Sequence, residues 1–184
     1  KIFKDAGIRI LHIGLESGSE RIRKKVLRRV YSNSDVINVV RTAKNNKLSV
    51  YFFNLIGIPG ESQKDFKKTV EINRICQPND HFTSIFFPYP GTDLYLQCKK
   101  EGLLDHPFDH KMERARAVLD LPGFSKSQIQ RAYIFFDYYI YRGHMSPIVI
   151  ALRVIRNWSN GSPFFSRLLR DLQIFLWRVG LKQR

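Results

Sequence analysis

Three short apolar runs punctuate the first half of the chain: Ile8 to Gly14, Leu48 to Gly57 and Phe82 to Phe87, each bounded by Gly, Pro or Asn. Runs of this length, rich in Ile, Phe, Leu and Val, read as strands buried on both faces, the habit of parallel strands. Between them apolar residues fall at helical spacing: Ile22, Val26 and Val30; then Val36, Val39, Val40 and Ala43; then Phe66, Val70 and Ile75. Strand starts recur at roughly 35 to 40 residues, the length of a strand-helix unit, so the pattern predicts an α/β layer with three parallel strands. Lys1 to Ala6 read as a last helical turn stopped by Gly7.

After Asp105 the period changes. Apolar residues at 129, 132, 133, 136, 139 and 140 predict a helix over Ser125 to Tyr141, and Ser146-Pro147 and Ser162-Pro163 each place Pro one residue after a capping Ser, the start of two more. The expected division is therefore 1–105 for the α/β part and 106–184 for a helical extension. Ser17 with Glu20, and Ser125 with Gln128, have the spacing of capping boxes, and Ser62 with Asp65 caps the helix after the second strand.

Composition adds charge to this picture. Of 184 residues, 43% are hydrophobic, enough for an ordinary core, while 31 Lys and Arg against 16 Asp and Glu give +15. That balance favours anionic surroundings without choosing among phosphates, carboxylates, nucleic acid and acidic lipid. Cys76 and Cys98 form no CxxC or His/Cys cluster, which argues against a disulfide framework or zinc site and fits a reducing cytoplasm. The longest apolar run near the C-terminus, Pro147 to Leu152, stops at Arg153, far short of the ~20 residues that span a bilayer.

Two polar residues stand out inside the apolar runs. Glu16 ends the first strand in "HIGLESGSE", where a carboxylate is costly unless it receives hydrogen bonds or faces solvent; it reads as a ligand contact or as an acceptor for loop N–H groups. Asn54 is the lone polar residue of "YFFNLIGIPGESQKDF", either pinned by neighbouring backbone or turned to a ligand. Gly57 and Gly60 flank Pro59 in a turn where no side chain keeps a ligand from the backbone.

"GLESGSE", "NLIGIPGESQKDF" and "FFPYPGTDLY", in this order and spacing, resemble the fourth, fifth and sixth strand-loop units of the radical S-adenosylmethionine superfamily. The resemblance covers roughly Lys1 to Asp105 and is strongest to the branch whose members often carry a cobalamin-binding domain before the barrel. It implies the C-terminal half of a partial (β/α)6 TIM-like barrel, with three parallel strands followed by a helical extension. It also implies S-adenosylmethionine and a [4Fe-4S] cluster as cofactors, with cobalamin only where its domain, not in this chain, is present. By the resemblance Glu16 accepts from the ribose hydroxyls, Arg28 approaches the methionine carboxylate, and Asn54 lies near the ribose. Ile56 and Gly57 pack on adenine, and the backbone at Phe86 and Phe87 pairs with the adenine edge. Arg28 also reads as one cation of a solvated face with Arg23, Lys24, Lys25 and Arg29.

The chain departs from the family in two respects. The C-x3-C-x2-C loop that holds the cluster and the first three strands are absent, so the expectation is a C-terminal portion of a longer enzyme, or a gene remnant, inactive alone, whose partner is the missing N-terminal part and whose substrate is an unidentified small or lipid-like molecule. His106 and His110 have a metal-like spacing but read as surface residues. From Pro147 to Arg184 seven basic residues meet one acid, and Phe164, Leu168, Leu172, Phe175 and Val179 share one helical face. That segment reads as a helix docking on the barrel or as a membrane-surface contact, which sets the expected location as cytoplasmic, peripheral to the inner membrane face under the second reading. No specific nucleic acid is expected; a non-catalytic basic module for anionic lipid or nucleic acid is the competing function.

Overall fold

The computed structural model describes residues 2–104 and 113–159. The expectations for His106, His110 and the amphipathic stretch after Ser159 lie outside these residues. In chain order the elements are α1 (Ile2–Asp5), β1 (Ile10–Glu16), α2 (Glu20–Lys25), α3 (Asn33–Asn45), β2 (Ser49–Ile56), α4 (Gln63–Cys76), β3 (Asp80–Ile85), α5 (Asp93–Lys100), α6 (Lys126–Ile134), α7 (Phe136–Tyr141) and α8 (Pro147–Trp158). The three strands form one parallel sheet in the order β1-β2-β3, with Ile10 opposite Ser49 and Tyr51 opposite Asp80. Gly7 takes a positive φ of 85° after α1, closing it with a bond from Ile8 N–H to the Phe3 carbonyl at 2.9 Å.

Strand alternation sorts the sheet's side chains. Val50, Phe52, Asn54 and Ile56 of β2 face the helices and are buried, and with Leu15, Val36, Val40, Ala43, Ile72 and Cys76 the first two form a small core under α3 and α4. The opposite face is a correction to the expectation of burial on both sides. His12, Tyr51, Phe53 and Phe82 lie against one another there, with ring centroids 5.3–6.3 Å apart, and Phe82 is 50% exposed. An apolar run looks alike in sequence whether a helix covers it or its own aromatics shield one another. Val30 and Ile75, expected on helix core faces, are exposed, because α2 ends at Lys25 and α4 turns Ile72 and Cys76 inward instead.

The expected helix over Ser125 to Tyr141 is two, broken at Phe135, where neither Gly nor Pro marks the break. The Ser125–Gln128 capping box is present, and so is a Ser32–Asp35 box at α3. Pro147 opens α8, although the Ser146 side chain makes no capping bond. Ile129, Phe136, Ile140, Val149 and Ile150 from α6, α7 and α8 share one apolar cluster with Ile56, Phe66, Ile85 and Phe86, so helices and sheet are joined by a common core.

Beneath that cluster lies a buried charge network. The fully buried Asp137 accepts from Arg153 Nη1 at 3.1 Å and Asn157 Nδ2 at 2.9 Å, with His81 Nε2 at 3.2 Å. Arg153 reaches on to Asp80 at 3.0 Å, and His81 Nδ1 lies 2.8 Å from Thr83 Oγ1. The start of β3 is thus tied to α7 and α8. Burial pushes the Asp137 carboxyl up, but His81, Arg153 and Arg156 outweigh it and hold it well below the ordinary range.

Candidate functional site

The carboxyl end of β1 does not finish as a regular strand. Gly14 pairs with Phe53 and Glu16 with Asn54, so Leu15 is an extra residue in a bulge, and its side chain is fully buried. Glu16 then adopts φ 58°, and Ser17 N–H donates back to the Leu15 carbonyl at 2.7 Å. A left-handed conformation costs a non-glycine residue ~1–3 kcal/mol and persists only where its surroundings enforce it. Here the Tyr31 hydroxyl does so, reaching the Gly14 carbonyl at 2.6 Å and the Leu15 carbonyl at 3.2 Å.

This turn tips the Glu16 side chain over the open face of the sheet. A Cβ at Gly14 would stand 3.0 Å from Glu16 Oε1 and 3.7 Å from an Arg29 nitrogen, so the missing side chain leaves the room the pair occupies. Arg29 Nη2 lies 3.3 Å from Glu16 Oε1. Burial pushes the Glu16 carboxyl above its usual range, and Arg29 pulls only part of the way back. The group is a half-buried acceptor with one cation beside it.

The loop from Ser17 to Asn33 holds those arginines in place. Arg23 is fully buried, and its guanidinium donates to the Ser17 carbonyl (2.5 Å), Asn33 Oδ1 (2.7 Å) and the Tyr31 carbonyl (3.2 Å) while stacking over the Tyr31 ring. Gly18 N–H donates to Thr69 Oγ1 at 2.8 Å, and Ser19 Oγ donates to Asp65 Oδ1 at 2.6 Å, fastening the loop to α4. The expected Ser17–Glu20 capping box is therefore not formed. Ser19 is the N-cap, Ser17 Oγ accepts from Ser19 N–H, and Glu20 accepts from Asn33 N–H at 2.6 Å. The anchors on α4 shift the helix start by two residues, out of the box's register. The Ser62–Asp65 box at α4 does form, and Asp65 also receives Arg21 at 2.6 Å.

Glu16, Lys25, Arg28, Arg29, Leu55, Asp93 and Leu94 line one cleft of about 620 Å³ at the sheet's carboxyl rim. Arg28, itself at φ 55°, pairs with Asp93 at 3.1 Å, both exposed, so the bond is weak and readily exchanged. Of the residues singled out from sequence, Glu16 and Arg28 meet here; the others do not. Asn54 points to the helix side, where Asn73 Nδ2 donates to its Oδ1 at 2.9 Å and its Nδ2 lies 3.3 Å from Asn73 Oδ1 and 3.4 Å from Thr83 Oγ1. Ile56 shares that parity and is fully buried. Gly57 N–H donates to Glu61 Oε2 at 2.6 Å, and a Cβ there would meet Ile129 at 2.9 Å. Phe86 N–H donates to the Ile56 carbonyl at 2.8 Å, and the Phe87 side chain is buried with its ring edge-on to Tyr89. Strand alternation explains the split: the bulge throws Glu16 to the open face, while Asn54 and Ile56 keep the helix-facing parity of Phe52.

Sequence reading gave no separate role to Arg29, Tyr31, Arg23 or Glu61. Glu61 is almost fully buried, its Oε2 accepting from Gly57 and Ile58 and its Oε1 without a hydrogen-bond partner. Burial pushes its carboxyl up to about 8. The acid in "PGES" was the available signal; nothing in sequence distinguishes Arg23 from the basic residues around it.

Chemically, the cleft offers an acceptor able to take two vicinal hydroxyls, three cations able to take a carboxylate, and apolar walls from Leu55 and Leu94. Those groups fit a zwitterionic nucleoside. They do not fit an iron–sulfur cluster: Cys76 and Cys98 are buried, burial pushes both thiols up to about 11, and among the described residues no group of His, Cys, Asp and Glu is placed to hold a metal ion.

Residues 1–72 match the family model described as the Radical SAM superfamily. Among curated proteins, the tRNA-2-methylthio-N(6)-dimethylallyladenosine synthase of Clostridium tetani is 32% identical over 87 residues, 46% of this chain and 19% of its own length. Proteins of the same name from Vibrio vulnificus (29% over 107 residues; 53% and 22%) and Bifidobacterium longum (34% over 85 residues; 45% and 17%) are similar too. The chain spans about a fifth of the length of these relatives.

Proposed function

We propose, from the premise that residues 1–72 belong to the radical SAM superfamily, that this chain supplies part of the S-adenosylmethionine site of a radical enzyme. One observation carries the reading: the half-buried Glu16 carboxylate, held by a strained turn over the open sheet face, shares a cleft with Lys25, Arg28 and Arg29. Glu16 accepts from the ribose hydroxyls, and Arg28 or Arg29 takes the methionine carboxylate, Arg28 by exchanging its exposed bond to Asp93. Asn54, Ile56 and the Phe86 N–H drop out of the proposed contacts because they are engaged inside the protein, which leaves Leu55 and Leu94 as the apolar wall.

Bound here, S-adenosylmethionine would supply a 5'-deoxyadenosyl radical, with methionine as the leaving group, on taking one electron from a [4Fe-4S] cluster whose cysteine loop this chain does not contain. The residues of this chain orient its sugar and amino-acid ends. Cobalamin enters the reading only with a domain outside this chain. The curated relatives are named for a tRNA adenosine product, so we carry tRNA forward as the first substrate class to test, against the expectation of no specific nucleic acid. The competing basic module accounts for the cations of this cleft but not for Glu16, an acceptor held among them.

The test uses the full-length protein that carries this chain, reconstituted anaerobically with iron and sulfide, reduced, and assayed for 5'-deoxyadenosine. Wild type is expected to form it. Glu16→Gln, which keeps shape and removes the charge-assisted bonds, is expected to raise the KM for S-adenosylmethionine by roughly tenfold or more with an unchanged far-UV spectrum. No 5'-deoxyadenosine from the wild type, or a variant with the wild-type KM, overturns the proposal.

A further inference from the structure

α8 reads PIVIALRVIRNW and has two apolar stripes. One, with Val149 and Ile150, docks on the core; the other presents Ile148, Ile155 and Trp158 outward, the last 68% exposed. Phe135 and Tyr138, at and just after the α6–α7 break, are also exposed. Two clefts, of about 480 and 410 Å³, share Phe135 and Val154 and are lined mainly by apolar side chains. Arg131 borders the first and Arg142 the second, and both border a third cleft, about 410 Å³, together with Lys67. Among the described residues no Asp or Glu lines any of the three. The nearest buried acid on these helices, Asp137, is consumed by Arg153, Asn157 and His81.

We infer that the face formed by α6, α7 and α8 seats on an anionic phospholipid surface. Charge and shape are complementary to such a surface: apolar clefts receive acyl chains, Arg131 and Arg142, which form no ion pair among the described residues, meet the phosphates at the rims, and an exposed Trp and Tyr occupy the boundary between the two. A contiguous exposed apolar patch of this kind is uncommon on a surface that meets only water. The chain's +15 charge draws the same way. Among the described residues no helix is long and apolar enough to cross a membrane, so the contact proposed is peripheral. It is independent of the Glu16 cleft.

Trp177→Phe leaves Trp158 as the one tryptophan of the 184-residue chain, a reporter on this face. On mixing with phosphatidylcholine/phosphatidylglycerol vesicles at low salt, its emission is expected to shift to the blue and to be quenched by brominated acyl chains, while pure phosphatidylcholine gives neither change. In sedimentation with the same vesicles, Ile155→Ser/Trp158→Ser in the otherwise native chain is expected to lower partitioning about tenfold, and Arg131→Gln/Arg142→Gln to remove much of its salt dependence. Thermal melts confirm that the variants fold. No spectral change with the anionic vesicles overturns the inference. So does vesicle binding that leaves Trp158 unchanged, which moves the contact to another segment. An emission already blue and shielded from acrylamide without lipid, or turning so with protein concentration, assigns the face to the chain itself or to a second copy and overturns it equally.

Discussion

Replacing Asp137 by Asn tests the charge network that ties β3 to α7 and α8. The substitution keeps the volume and one acceptor oxygen but places an amide donor among the donors of Arg153 and Asn157. Arg153, itself nearly buried, then keeps only the partly exposed Asp80 at 3.0 Å as a charged partner. Breaking one partner out of a buried pair costs ~3–5 kcal/mol, and the surviving Asp80 contact sets the expectation at the lower end, ~3 kcal/mol. Against a total stability of ~5–15 kcal/mol for a domain, that is a large loss, equivalent to a fall in Tm of roughly 6–12 °C. Urea unfolding followed by circular dichroism measures it. Asp137→Leu/Arg153→Met, which removes both charges, is expected to cost much less than the two single changes added together. Because the folded carboxyl titrates well below its unfolded value, its contribution is present above about pH 4 and fades as pH falls further, so Asp137→Asn should also flatten the acid limb of the stability profile. A loss under ~1 kcal/mol for Asp137→Asn, or full additivity in the pair, would refute the reasoning.

Glu61 predicts the opposite slope. Its carboxyl is pushed up to about 8 in the folded chain, so between about pH 4.5 and 8 the native state holds a proton the unfolded state has lost, and stability falls as pH rises through that window. Glu61→Gln should remove this component, gaining on wild type by up to ~1.4 kcal/mol per pH unit in parallel urea titrations; parallel profiles would contradict the burial argument. At Gly18 a Cβ would stand 2.3 Å from the Lys68 carbonyl oxygen and 2.6 Å from Thr69 Cα, both backbone atoms that cannot swing aside. Gly18→Ala should therefore cost at least ~2 kcal/mol in thermal or urea unfolding, and an unaffected variant would mean α4 does not press on this loop.

Local signals in the sequence were translated faithfully and long-range ones were not. The Ser62–Asp65 and Ser125–Gln128 boxes form because each partner is three residues away and nothing competes. The Ser17–Glu20 spacing is just as good, yet Asp65 and Thr69, about fifty residues on, claim that loop. The three strands were legible as apolar runs with Gly and Pro at their ends, and β1 closes at Glu16, the carboxylate expected to end it. Glu16 and Asn54 gave the same signal, a lone polar residue in an apolar run. Alternation and the bulge separated them, sending one to the open rim and the other to Asn73. The sheet's uncovered face was illegible because Phe53 and Phe82 are as hydrophobic beside other rings as beneath a helix.

Arg23 gives the rim a mechanical character. By gripping Ser17, Tyr31 and Asn33 at once it ties both ends of the intervening excursion to a single knot beside β1, leaving Arg28 and Arg29 at the tip of a short handle. The end of one strand and the beginning of α3 are therefore fixed to each other through one guanidinium rather than through the chain between them.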